Sequence, residues 1–139
     1  MALIKIYARP EKHEELVNGG VAKSIKLVVA AALNVQSLPT APSGIETVFI
    51  EGIDLVGIDY IIEIIAVERP NQQQIAESFI TGLNQIYPDI LFSVYFNNIS
   101  VRGMANTPRP SRQEAPLTMN QAIKRSKNEV YFICFLSFL

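Results

Sequence analysis

One cysteine, one histidine and few charges set the first limits on this chain. Cys134 has no second cysteine to join, so no intrachain disulfide forms and a reducing compartment suits the protein. His13 and Cys134 together fall short of a zinc site of ordinary composition. Charged residues make up only 18% of the 139 residues, while 49% are apolar. A small monomer has much surface per unit volume and needs polar cover, so this balance points to an oligomer that hides more apolar area. The 12 basic residues are dispersed and the net charge is −1, which argues against a nucleic-acid partner. The glycines form neither a dinucleotide fingerprint nor a P-loop, so no nucleotide or other cofactor is expected. No charged segment followed by an apolar run and a cleavage site opens the chain. The apolar stretch Val130 to Leu139 is about half the ~20 residues of a membrane helix. The expectation is a soluble, cytoplasmic protein with no membrane partner.

What the chain does contain is a phrase written twice. Ile4-Lys5-Ile6-Tyr7-Ala8-Arg9-Pro10 leads into a helical stretch, and so does Ile62-Glu63-Ile64-Ile65-Ala66-Val67-Glu68-Arg69-Pro70. Ile4 matches Ile62, Ile6 matches Ile64 and Ala8 matches Ala66, and Arg-Pro closes both copies. Such self-similarity marks a duplicated supersecondary unit. Each copy is followed by a helical pattern and a further strand pattern, so the chain reads as two βαβ units.

Alternation in the first strand places Ala2, Ile4, Ile6 and Ala8 on one face and Leu3, Lys5 and Tyr7 on the other. After Pro10 a helix is expected over 11–33, with Val17, Val21, Ile25, Val28 and Ala32 as its apolar stripe. Gly19-Gly20 conflicts with that helix and predicts a bend or a late start. A Pro- and Gly-bearing loop over 34–44 precedes a strand over 45–50, and the stretch to Asp59 reads as a hairpin or a bulged extension. Tyr60 to Val67 predicts a central strand that is apolar on both sides. Asn71 and Gln74 have the spacing of a capping box at the start of a second helix, whose buried stripe is Ile75, Phe79, Leu83 and Ile86. A last strand is expected over 90–99. Residues 1–106 thus form one domain, and 107–139 a proline-rich linker and apolar tail. Thr118 to Arg125 predicts a short helix, and Val130 to Leu139 an edge strand on a neighbour or a segment outside the functional unit.

Two βαβ units, a strand that begins at residue 2 and a low charge resemble the tautomerase superfamily over roughly residues 2–106. Val94-Tyr95-Phe96-Asn97 is similar to the Val-Tyr-x-Asn of macrophage migration inhibitory factor. Ala2-Leu3-Ile4-Lys5-Ile6 is similar to the proline-hydrophobic-hydrophobic opening of the oxalocrotonate tautomerase type. The resemblance implies an α/β (α+β) two-layer sandwich, a four-stranded mixed sheet with two helices on one face, assembled as a homotrimer. It also implies a cofactor-independent keto–enol isomerase of small oxo-acids, whose base is an N-terminal amine. Ala2 stands where the family has its catalytic proline. A primary amine has a reference pKa of about 7.7–8.0, and cationic neighbours or burial lower it. Freed of Met1, Ala2 would act as a base or form a Schiff base; otherwise it is the first residue of a strand.

Small oxo-acids carry a carboxylate, which arginine grips with its planar fork. Arg9, Arg69 and Arg102 are the candidates, with solvated turn positions as the alternative. The loop 34–44 lacks the cation that the family places after its first helix. Tyr95 and Asn97, two apart on one strand face, suit hydrogen bonds to an enolate oxygen, or Tyr95 belongs to the core. Lys5 and Glu63 occupy matching repeat positions and are expected to pair, fixing register rather than catalysing. Two further readings stand beside the enzyme. One is a catalytically inactive trimer of the same fold that binds a small acid or a protein. The other is a ferredoxin-like module that dimerises and binds ligands between strands.

Overall fold

The computed structural model of the chain describes residues 2–36, 38–52, 57–99 and 115–137, with 129–137 described by backbone alone. Strand β1 is Ala2–Ala8, and buried and half-buried residues alternate along it without a break. Pro10 has no N–H to give a ladder and sits in the first turn of a 3-10 helix, Pro10–Lys12, which continues as α1, His13–Asn18. The expected single long helix is divided at Gly19-Gly20. Gly20 takes a φ of +81°, in the left-handed region, and α2, Val21–Leu33, leaves at 70° to the preceding segment. A side chain at that φ is strained, so glycine permits the bend that lays α2 on the sheet. The apolar stripe from Val21 onward is as expected, whereas Val17 on α1 is exposed.

Strand β2, Ile45–Glu51, follows, and Gly52 N–H donates to Ala8 O at its end. The expected hairpin or bulge over 52–59 falls largely on 53–56, outside the described residues. Strand β3 is Tyr60–Ala66, α3 is Gln72–Ile86 and β4 is Phe92–Asn98. The sheet order is β2-β1-β3-β4. The β1/β2 and β3/β4 pairs are parallel, as a crossover helix requires, and β1 and β3 meet antiparallel in the centre. The written repeat therefore becomes a local two-fold: Ile4 pairs with Ile64, Lys5 with Glu63 and Ile6 with Ile62. This is the expected four-stranded mixed sheet built from two βαβ units.

The core lies on one side of the sheet. Ile4, Ile6, Tyr60, Ile62 and Ile64 are fully buried against Ile25, Val28 and Val29 of α2 and Phe79 and Leu83 of α3. Burying each such side chain contributes about 1.5–3 kcal/mol. The capping box expected at Asn71 does not form. Asn71 precedes α3 in the left-handed region, φ 61°, and its side chain makes no capping bond. Asn tolerates that conformation better than most residues.

The C-terminal segment differs from expectation. In place of an edge strand, the backbone forms helix α4, Met119–Ser137. A reciprocal capping box starts it: Gln121 N–H donates to Thr118 Oγ1 at 3.2 Å, and Thr118 N–H donates to Gln121 Oε1 at 3.0 Å. Once nucleated, a helix propagates at little entropic cost per residue, and the run from Gln121 to Lys127 favours it. Ala122, Ile123 and Ser126 are buried against α2 and α3. Gly82 on α3 makes room there, because a Cβ would stand 3.0 Å from Met119 Sδ and 3.1 Å from Val28 Cγ1. Among the described residues no single helix is long and apolar enough to cross a membrane.

Candidate functional site

The helices leave one face of the sheet open, and the outward residues of the four strands stand on it in three rows. Register gives Glu46–Leu3–Ile65–Asn97, then Val48–Lys5–Glu63–Tyr95, then Ile50–Tyr7–Ile61–Ser93. Leu3, Ile65, Ile50 and Ile61 flank the polar centre Lys5–Glu63–Tyr95, and Glu46, Asn97 and Ser93 add polar groups at the edge strands. Glu63 is only 7% exposed although no helix among the described residues covers this face. Its Oε2 accepts the Tyr95 hydroxyl at 2.8 Å, and its Oε1 lies 3.9 Å from Lys5 Nζ. The Lys5–Glu63 pair expected from the repeat is thus present. Tyr95 keeps its proton to unusually high pH, first because that proton is shared with Glu63, then through partial burial and a bond with Tyr7. Tyr95 itself is 44% exposed, so it is not a core residue.

Tyr95 and Asn97 do share this face, about 7 Å apart along β4. The direction of the Tyr95 proton matters chemically. The hydroxyl already donates to Glu63, so toward a ligand it presents lone pairs until that bond opens. Asn97 is exposed and stands in the row of Leu3, two strands from β1, near the amino-terminal end of the sheet. Ala2 occupies that same end. It is 2% exposed, pairs with Ile45 and turns its methyl group toward the helices.

Arg9 stands at the opposite end of β1, seven residue steps or roughly 23 Å from Ala2. Within one chain the two are not brought together. Arg9 Nη2 lies 3.8 Å from Asp59 Oδ1, and Lys12 Nζ lies 3.7 Å from the same oxygen. Asp59 Oδ2 accepts Leu91 N–H at 2.9 Å, which anchors the entry to β4. Beside this group Tyr60 is fully buried, and burial, then Glu15, pushes its hydroxyl pKa up. Arg9 and Lys12 thus form a cationic pair around one carboxylate, and Arg9 is one-third exposed.

Arg69, the repeat counterpart of Arg9, is neither a turn residue in solvent nor a ligand-facing group. It is 5% exposed. It donates through Nε to Leu33 O at 3.2 Å, through Nη1 to Val67 O at 2.6 Å and through Nη2 to Thr40 Oγ1 at 3.1 Å. Leu33 O is one of the carbonyls left open at the end of α2, so Arg69 closes that helix and ties the following loop to β3. Arg102 lies outside the described residues.

Sequence reasoning missed three partners here. Glu63 as the acceptor of the Tyr95 hydroxyl, and Tyr7 beside it, required the β3/β4 register, which the matching of Lys5 to Glu63 alone does not give. Asp59 as the hub of Arg9 and Lys12 lay at the edge of a segment with no clear periodicity.

No protein-family model matches the sequence. None of the curated proteins matches it either. Among solved structures, the chain is similar to a macrophage migration inhibitory factor-like protein from Entamoeba histolytica, at 15% identity and a TM-score of 0.42, over 76% of this chain and 93% of that one. It is similar to a member of the cis-3-chloroacrylic acid dehalogenase family at 13% identity and a TM-score of 0.46, over 94% of this chain and 99% of that one. It is also similar to malonate semialdehyde decarboxylase at 11% identity and a TM-score of 0.44, over 76% of this chain and 92% of that one. At such identities no residue role passes from them to this chain.

Proposed function

We propose that the chain is a tautomerase-like protein that interconverts keto and enol forms of small oxo-acids, without a cofactor, through the amine of Ala2 after loss of Met1. The observation that carries this reading is the central antiparallel pairing of two βαβ units, with β1 opening at residue 2 beside the row that ends in Asn97. The amine takes a proton from carbon and returns it to oxygen or the reverse, which needs it partly unprotonated near neutral pH. Asn97 donates to the enolate oxygen from the same end of the sheet. Tyr95 takes part by exchanging Glu63 for the substrate oxygen. Arg9, or Arg102, holds the substrate carboxylate. Since Arg9 is remote from its own Ala2, it serves the Ala2 of another copy, and the working form is a homo-oligomer, a trimer on the family pattern.

One observation favours a second reading. The Tyr95 proton is committed to Glu63 and Arg9 to Asp59, which suits an inactive assembly that binds a small acid or a protein partner.

The test begins with the denatured mass, which shows whether Met1 is gone. An Ala2→Pro variant then restores a ring nitrogen of fixed orientation. On the amine reading, the wild type ketonises an arylpyruvate enol and the variant does so about tenfold faster, an effect of orientation. Retained Met1, or no catalysis by either protein, sinks the amine and leaves the binding role.

A further inference from the structure

Helix α4 is longer than the layer that carries it. Ser24 Oγ lies 3.0 Å from Tyr87 Oη, so α2 begins where α3 ends. Met119 stands at the other end of that layer, lining a groove with Ala31, Ala32 and Val35 at the close of α2. Ile123 lies beside Gly82, next to Val28. The helix therefore runs back along α2 towards Val21. At 1.5 Å per residue, the stretch of α2 from Val28 to Val21 carries α4 from Ile123 to Val130, about 10 Å. Helix α3 stops sooner, at Ile86. The backbone of α4 continues to Ser137, so Val130–Ser137 extends roughly 12 Å past the layer. The sequence changes character at the same residue. Lys124, Arg125 and Lys127 are exposed on the part that lies over the layer. From Val130 to Leu136 no residue is charged, and the Tyr131 hydroxyl and the Cys134 thiol are the only polar groups of the side chains. That run makes about two turns, so every side of the helix is apolar there.

A helix with one apolar stripe fits a groove in a protein, whereas a helix apolar on every side is immersed, in a core or in lipid. The layer of α2 and α3 on which α4 packs has ended at this point. Charge separates the remaining choices. Lys23 and Lys26 are the only charged residues of α2, and Glu129 is the only acid of α4. Glu14 and Glu15 of α1 adjoin the start of α2, and Glu15 is held by Lys12 Nζ at 3.6 Å. Cations are thus in excess around the projecting stretch, which suits an anionic headgroup layer. We infer that Val130–Ser137 docks the protein on an anionic bilayer surface, dipping into one leaflet while Lys124, Arg125 and Lys127 stay at the headgroups. The stretch is well short of the ~20 residues of a span, so it lies in the surface and does not cross. The sequence-based expectation of no membrane partner rested on that same length, which excludes a span and leaves a surface open. Docking of this kind is independent of the chemistry proposed above.

The experiment floats the full chain with phosphatidylcholine vesicles made with and without phosphatidylserine. Wild type is expected to bind the anionic vesicles about tenfold more tightly than the neutral ones, since each cation near such a surface adds its own attraction. High salt should release it. Lys124→Glu with Lys127→Glu should remove the preference, and Phe132→Asp with Phe135→Asp should abolish binding, both with unchanged circular dichroism. No flotation of wild type, or equal flotation with both vesicles, overturns the inference. So does flotation that survives the Phe132 and Phe135 changes. Should the aspartates unfold the chain, Phe135→Trp decides instead. The chain has no tryptophan of its own, so fluorescence then reports this position alone. A shift to shorter wavelength on adding anionic vesicles, quenched when their lipids are brominated, supports insertion. An emission already shifted without vesicles and lost on dilution shows the stretch covered by another protein copy, and overturns it.

Discussion

Arg69→Met is the perturbation that most directly tests how the first βαβ unit is closed onto the second. Two effects oppose each other. Burial lowers the pKa of Arg69, so the guanidinium loses hydration on folding, and methionine would not. Against this stand three hydrogen bonds, to Leu33 O, Val67 O and Thr40 Oγ1. Bonds from a charged donor contribute about 1.5–3 kcal/mol each, and an acceptor left buried without a partner costs about 1–3 kcal/mol. Leu33 is fully buried and Thr40 is 7% exposed, so at least two acceptors are sealed from water. Val67 is half-buried and its carbonyl recovers water more easily. Thr40 Oγ1 also donates to Leu33 O at 3.4 Å, so that carbonyl is not left bare. Counting one sealed acceptor with the lost charged bonds and returning part of the desolvation, the loss comes to about 2–3 kcal/mol. For a domain of this size that lowers Tm by roughly 5–15 °C. The assay is urea denaturation of wild type, Arg69→Met and Arg69→Lys, followed by circular dichroism. Lysine reaches one of the acceptors and recovers a minority of the loss. A methionine variant within about 0.5 kcal/mol of wild type would refute the reasoning, since surface substitutions away from such contacts have effects of that size.

Further outcomes follow from other contacts. Gly20→Ala forces a side chain into the left-handed region at φ +81° and is expected to cost about 1–2 kcal/mol by chemical denaturation, without loss of fold. Thr118→Ala removes one half of the capping box and should destabilise by about 0.5–2 kcal/mol, with hydrogen exchange rising first in the amides of α4. Raised tyrosine pKa values carry a sign. Tyr60 and Tyr95 bind their protons more tightly folded than unfolded, so their stabilising share is complete below about pH 10 and is lost as pH rises above it. Tm measured from pH 8 to 11 should fall at the alkaline end, and Tyr95→Phe should flatten that fall; an identical slope in the variant would contradict the assignment.

How much of this was legible in the residues divides along physical lines. Ile4, Ile6, Ile62 and Ile64 fixed the strands because strand alternation is local and strong, and the Arg-Pro repeat located both strand ends. The same Arg-Pro repeat could not show that Arg9 and Arg69 have different surroundings. Arg69 meets the end of α2 and Thr40, contacts made across 29 and 36 positions of sequence. Arg9 meets Asp59. The bend at Gly19-Gly20 was visible as a conflict, and its sense followed only from the φ of Gly20. Val130 to Leu139 misled, since a β-prone apolar run reads as a strand when taken alone. The capping box at Thr118 and the propagation of α4 outweigh that local preference. Tyr95 and Asn97 were placed on one face by simple alternation. That Glu63 holds the Tyr95 proton depends on strand register, which no local pattern encodes.

The proposed chemistry stands or falls on the amine at residue 2. Its most direct measurement is the ketonisation rate of an arylpyruvate enol by protein whose denatured mass shows Met1 removed, before and after selective acetylation of the Ala2 amine. The proposal predicts catalysis by the free amine and its loss on acetylation, with circular dichroism unchanged. Equal rates before and after would contradict it.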